Sequence, residues 1–315
     1  MKAMLNKLAR QPWIFSFAAA LAVWLITIAH TGGQGAGAIL TAALSFATFT
    51  IIVGLGQMMV ITTGPGNVDL SIPATITLSG VVAMKVMDED TGRLVIGVVA
   101  ALGAASLVGV FNYALIRLLR IPPIIATLSS SFLILSTAIS YGRGIRIKPP
   151  EPLAEFATAR LVGIPVMSLA VLAISLMIGL VLARTLYGRS VLAVGQNSNA
   201  AWLAGLDVGR TRFVTYVLSA LMAGVCGVLL SGFSRGAALN MGEEFLLASI
   251  ATVVIGGTSV AGGRANVPGI WGAALFMYLL VTMLNTFGAS AGVRLVLTGL
   301  MIIAVIVAAG GEEQR

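Results

Sequence analysis

The 315-residue sequence predicts an all-α, polytopic membrane protein with about ten transmembrane helices and breaks in the third and eighth spans. Three observations carry that prediction. Apolar residues make up 58% of the chain and charged residues 10%, and the mean hydropathy of +1.02 lies well above that of a soluble domain. Apolar runs of about 20 residues, the length needed to cross roughly 30 Å of hydrocarbon, recur from one end of the chain to the other. The basic residues behind the net charge of +8 sit in short caps between those runs, which marks them as topology signals and argues against a nucleic-acid partner.

In order, the runs cover residues 13–30, 38–62, 68–87, 94–119, 123–141, 164–183, 213–233, 245–260, 268–287 and 293–310. The first follows Lys2, Lys7 and Arg10 and reads as an uncleaved anchor, because His30, Thr31 and Gly32 lack a small-x-small cleavage pattern. Pro73 is expected to interrupt the third run, and the eighth is short and ends in glycines. With the amino terminus inside, eleven of the 19 basic residues fall on the cytoplasmic side and eight outside, so both termini are expected in the cytoplasm. No boundary divides the chain, and residues 1–315 read as one transmembrane domain.

Two connections are long. Residues 142–163 fall outside and hold Pro149, Pro150 and mixed charges, which suit either a docking surface or a solvated loop. Residues 184–212 fall inside and carry Arg184, Arg189, Arg210, Arg212 and Asp207. Two further stretches, 60–73 and 254–268, interrupt apolar sequence with glycine and proline on the inner side. Irregular backbone at membrane depth needs protein or a water-filled cavity to satisfy its polar groups. Asp69, Ser71, Pro73, Gly256 and Gly257 are therefore candidates for a pathway or gate, the alternative being tight interhelical turns.

Most kinds of chemistry lack their parts. The sequence has no phosphate-binding loop of the G-x-x-x-x-G-K-[ST] kind, and no strand precedes Gly32, Gly33, Gly35 and Gly37 to make a dinucleotide fingerprint. His30 is the only histidine and Cys226 the only cysteine, so metal chemistry, a Ser-His-Asp triad and an intrachain disulfide are all unsupported. No cofactor or catalytic group is expected. Apart from His30, Arg117 and Arg294 at the edges of their runs, the ionisable residues within the runs are Asp69 and Lys85, and both lie near run ends, which argues against ion coupling. Neutral hydroxyls are plentiful: Thr41, Ser45 and Thr48 share one face of the second run, and Thr127, Ser130, Ser131, Thr137 and Ser140 recur along the fifth. Ser45, Thr48, Thr127 and Ser131 are candidate contacts for an uncharged polar solute, and they serve equally as packing groups bonded to helix carbonyls. Ala101, Ala105 and Gly109, and Ala220 and Gly224, recur four apart and predict close helix packing.

The stretch 184–212 has its own local logic. Asn199 or Asn197 can cap a short helix through Ala200, Ala201, Trp202, Leu203 and Ala204, and Gly205 can end it, which makes a compact knob on the inner face. The run from Leu186 to Phe213 resembles the cytoplasmic coupling segment of ABC-importer permeases of the ribose and simple-sugar type, within the group that includes branched-chain amino-acid permeases. Asp69, Leu70 and Ser71, followed by Leu78 and Gly80, are similar to that family's G-I-D-L-S-V-G region. Residues 253–263, from Val253 to Gly263, are similar to its V-V-x-G-G-T-S-x-x-G-G region.

The resemblance implies a multi-pass permease of the cell inner membrane, embedded in lipid and without enzymatic activity of its own. It implies three partners: a cytoplasmic ABC ATPase, an extracytoplasmic substrate-binding protein, and a second permease copy or a paralogous permease. It places the ATPase contact at Asn197, Ala200, Ala201, Trp202 and Gly205. Asn67 and Pro73 depart from the first motif, and Leu246 and Ala248 stand where relatives often carry Glu and Asp, so the solute is not fixed as a common pentose or hexose. The expected function is ATP-driven import of a sugar or similar small neutral solute. A self-sufficient channel or secondary carrier is the alternative raised by the two breaks.

Overall fold

The computed structural model describes residues 12–144, 147–290, 292–297, 299–300 and 303. The basic cap of Lys2, Lys7 and Arg10, much of the tenth run and the carboxyl-terminal tail lie outside the described residues. The chain runs α1 (Pro12–His30), α2 (Ala36–Thr62), α3 (Ile72–Met87), α4 (Leu94–Leu118), α5 (Pro123–Gly142), α6 (Glu151–Thr158), α7 (Val166–Arg184), α8 (Leu186–Gln196), α9 (Ser198–Leu203), α10 (Val208–Phe233), α11 (Phe245–Ile255) and α12 (Val267–Thr286). Among the described residues seven helices, α1, α2, α4, α5, α7, α10 and α12, are long and apolar enough to cross a membrane. The third and eighth runs form the shorter apolar helices α3 and α11, of 16 and 11 residues.

Pro73 does not interrupt its helix, contrary to the sequence expectation. It stands in the first turn of α3, where its missing N–H has no helical partner to lose and its fixed φ favours the helix start. The connection 142–163 is likewise more than a loop. It folds into α6, and Arg160–Leu161 then pairs antiparallel with Ile164–Pro165 in a two-residue clasp. Leu153 and Ala157 of α6 are buried against the end of α10, where a Cβ on Gly232 would come within 2.9 Å of the Leu153 side chain.

The core forms around α2. Phe49, Ile51, Ile52, Leu55 and Met58 are fully enclosed, because α10, α11, α12 and α7 pack around this helix. The other main contact is α10 against α4 and α3. Here the small-residue spacing acts as expected: a Cβ on Gly224 would lie 2.7 Å from the Ala105 Cβ, and one on Gly109 would lie 2.7 Å from the Val217 Cα. Side chains at those points would force the two helix backbones apart. At the far flank α12 packs on α1 and α2, with Phe46 stacked on Tyr278 at 5.1 Å and His30 tilted against Phe287 at 4.3 Å.

Candidate functional site

Segment 184–212 is two helices rather than the single one expected. The Thr185 hydroxyl accepts from the Gly188 N–H at 3.1 Å and starts α8, an element that sequence reading left unassigned. Asn197 then breaks the chain into extended backbone and its carbonyl oxygen Oδ1 accepts from the Ala200 N–H at 2.9 Å, capping α9. Gly205 ends that helix at φ 85, where a side chain would be strained, and its N–H donates to the Trp202 carbonyl at 2.9 Å. Trp202 and Leu203 are left 68% and 78% exposed, whereas Ala201 is only 5% exposed and faces the protein. Asp207 caps α10 by accepting from the Arg210 N–H at 2.8 Å. Tyr187 shares a 2.9 Å hydrogen bond with Thr215 across α8 and α10, and burial pushes its phenol up to about 12.

The carboxyl-terminal end of α8 meets both glycine-rich breaks. A Cβ on Gly195 would overlap the Thr62 carbonyl oxygen and the Gly263 nitrogen, two atoms joined by a 2.9 Å hydrogen bond. A Cβ on Gly262 would lie 2.5 Å from the Gly64 Cα and 2.9 Å from the Gly195 carbonyl oxygen. Gly64 and Gly262 have φ of 121 and 91, so glycine is required there for conformation as well as for space. Three backbones thus converge where the chain leaves α2, where it leaves α11 and where it leaves α8. Gly256, a pathway candidate, makes another such approach, since its Cβ would come within 2.8 Å of the Gly269 backbone, and Gly257 follows it at φ 80.

Asp69 is 1% exposed and fully engaged. Its Oδ1 accepts from the Ser71 N–H at 3.0 Å and the Ser71 hydroxyl at 2.6 Å, and its Oδ2 accepts from the Ser219 hydroxyl at 2.8 Å. The network extends in every direction. The Asp69 N–H donates to Gln57 Oε1 at 3.2 Å, Asn112 Nδ2 donates to the Ser71 hydroxyl at 2.7 Å, and the Ser130 hydroxyl donates to Asn112 Oδ1. The Leu70 N–H donates to the Thr127 hydroxyl at 3.1 Å. Helices α2, α4, α5 and α10 therefore all hold the break before α3. Sequence reasoning found Asp69, Ser71 and Thr127 here; it missed Gln57, Asn112, Ser219 and Tyr216, whose hydroxyl reaches Asn67 Oδ1 at 3.4 Å.

The other candidates lie apart from this network. The Ser45 hydroxyl donates to the Thr41 carbonyl of its own helix at 3.0 Å, and that of Thr48 is 2.8 Å from the Ser168 hydroxyl of α7. Ser131 is half-buried and its hydroxyl donates to the Leu128 carbonyl at 2.7 Å. Pro73 sits beneath the 234–244 connection, where a Cβ on Gly242 would overlap its carbonyl oxygen. Among the described residues no group of His, Cys, Asp and Glu is arranged to hold a metal ion.

Comparison with known proteins matches the sequence to a family. The family described as "Branched-chain amino acid transport system / permease component" matches residues 38–306. A fructose import permease protein of Rhizobium meliloti is 31% identical over 268 residues, which cover 81% of this chain and 73% of that protein. A ribose import permease protein of Bacillus subtilis is 29% identical over 81% of this chain and 79% of its own length. An autoinducer 2 import system permease protein of Photorhabdus laumondii is 29% identical over 94% of this chain and 91% of its own. No solved structure matches the chain. With the family matched across most of its length, the chain belongs to the branched-chain amino-acid transport permease family, as a multi-pass membrane permease of the simple-sugar ABC-importer type.

Proposed function

We propose that this chain is the membrane subunit of an ATP-driven importer for a sugar or a similar small, uncharged polar solute. The observation that carries the reading is the linkage within segment 184–212: an exposed Trp202 and Leu203 at one end, and at the other the Gly195 contact with both breaks. A push on the knob bears directly on the two irregular segments that interrupt the bundle. ATP hydrolysis then belongs to a separate cytoplasmic subunit, as the family membership implies. Relatives named for fructose, ribose and autoinducer 2 import support a neutral hydroxylated solute, with Leu246 and Ala248 setting this chain apart in its choice of one.

In this reading Trp202, Ala200 and Gly205 meet the ATPase, Asn197 fixes the knob, and Ala201 supports it from beneath. Asp69, Ser71 and Thr127 anchor the moving break, and Gly256 and Gly257 form the second. The ten-span arrangement uses α3 and α11 as the third and eighth spans, places both termini in the cytoplasm, and pairs the chain with a second copy or a paralogue in the inner membrane. The substrate-binding protein docks on the opposite face, where Lys148, Glu151, Glu155 and Arg235 line a cavity of about 480 Å³ beside α6.

The test is reconstitution in liposomes with the cognate ATPase and binding protein. Uptake of labelled solute requires ATP, and Trp202→Glu abolishes ATPase association while the protein stays in the membrane. The exposed position makes that substitution a surface change, unlike a charge at buried Ala201. Uptake that proceeds equally well without the ATPase refutes the reading in favour of a channel or carrier.

A further inference from the structure

A cavity of about 820 Å³ opens between the end of α4, the link to α5 and the start of α10. Arg117, Arg120 and Arg212 line it from three different segments. Asp207, the acid in the lining, already caps α10 with its carboxylate. Among the described residues the ion pair formed is Arg93 with Asp90, far along the chain, so none of the three guanidinium groups is paired. The Arg212 Nε is buried without a hydrogen-bond partner, while its Nη2 reaches the Thr63 carbonyl only at 3.5 Å. Arg120 stands at φ 55, a left-handed conformation that costs an L-residue about 1–2 kcal/mol, and so its place in the lining is held against local preference.

Much of the remaining wall is apolar, and Tyr113 together with Trp202 and Gly205 of the knob completes it. Ile116, Ile121, Pro122, Pro123 and Val208 face the cavity, and the neighbouring Leu118 and Leu119 are 77% and 63% exposed. Helices α4, α5 and α10 are all of membrane-crossing length, so their ends put this cavity at the hydrocarbon boundary. Three unpaired arginines beside exposed leucines at the ends of membrane-length helices suit a single ligand chemistry: a phosphodiester headgroup with the glycerol and first carbons of its chains. Basic pockets between transmembrane helices bind anionic lipid headgroups in this way. We infer that this cavity is a binding site for one anionic phospholipid, seated against the start of α10 and next to the knob. The site is argued from its arginines and does not need the transport reading, although Trp202 and Gly205, given above to the ATPase, stand at its edge.

The full chain, purified in detergent, is incubated with phosphatidylglycerol or phosphatidylcholine, and retained lipid is counted by native mass spectrometry beside thermal stability. Wild type retains phosphatidylglycerol over phosphatidylcholine and gains stability from it. The Arg117→Gln/Arg120→Gly variant binds phosphatidylglycerol about thirtyfold more weakly, the value for two lost basic contacts. Glycine relieves the left-handed residue, and Arg117 is exposed, so the fold is kept; the single Arg117→Gln change repeats the test if the double variant is unstable. Arg184→Gln/Arg189→Gln, which removes two exposed arginines outside the cavity, leaves lipid retention at the wild-type level. Three results overturn the site: equal retention of both lipids, equal stabilisation by inorganic phosphate alone, or cavity variants that keep the lipid and instead lose the ATPase.

Discussion

Gly195→Ala is the sharpest perturbation of the junction between α8 and the two breaks. The added methyl would enter the space between the Thr62 carbonyl and the Gly263 N–H, whose hydrogen bond is 2.9 Å long, and would stand 2.9 Å from the Gly263 Cα. Every neighbour is backbone, so no side chain can rotate out of the way. Losing the hydrogen bond costs about 1 kcal/mol and overpacking about 1–3 kcal/mol, while alanine in a helix regains about 1 kcal/mol over glycine. The net destabilisation is therefore about 1–3 kcal/mol. Unfolding midpoints in one detergent, compared with ATP-dependent uptake in liposomes, measure it: both fall in Gly195→Ala. Gly103→Ala and Gly179→Ala, helical positions with nothing within 4 Å, are the controls and retain both. A Gly195→Ala protein with wild-type stability and uptake refutes the junction as a tight contact.

Two further outcomes follow from the surrounding geometry. Ser219→Ala removes a donor to buried Asp69 Oδ2 and lowers stability by about 1–3 kcal/mol, whereas Ser131→Ala, at a half-buried hydroxyl on the Leu128 carbonyl of its own helix, stays within about 0.5 kcal/mol; denaturant or thermal unfolding reads both. Tyr187 has its phenol raised by burial from the ordinary 10.0 to about 12, so between those values the folded chain keeps a proton that the unfolded chain has lost. Its stabilising effect is complete below pH 10 and disappears as the pH rises towards 12, so Tyr187→Phe flattens the alkaline limb of a stability–pH curve measured beside wild type.

The legible parts of the chain were those that follow from local spacing. Small residues four apart on α4 and α10 announced their contact, and the polar break with glycine after it announced a capped knob. Pro73 misled because a proline inside an apolar run looks the same whether it breaks a helix or begins one; the outcome depends on where the preceding break ends. Helix α8 was hidden because its arginines, tyrosine and glycines leave no apolar periodicity long enough to read, and its stability comes from contact with α7, α9 and α10. The Asp69 network was half visible. Spacing identifies which residues share a face, but Gln57, Asn112 and Ser219 come from faces whose meeting is decided only when the helices pack. The relevance of Gly195, Gly64 and Gly262 was obscured for the same reason, since a glycine among 37 reveals nothing of the backbone that will cross it.

Helix α10 has a mechanical consequence that its two ends share. It starts from the Asp207 cap beside the knob and finishes beneath Leu153 of α6, 26 residues later. At 1.5 Å per residue that is a rod of about 39 Å, and a tilt of about 5° around its midpoint swings each tip by roughly 1.7 Å. The glycine and alanine seam with α4 lies near the middle of this rod, where a fulcrum belongs, and Arg212, Tyr216 and Ser219 reach the first break from one face of its lower arm. A rod of these proportions would carry a load on either tip to the other, so a change at the α6 end and a displacement of the knob would share one angle if α10 tilts as a unit.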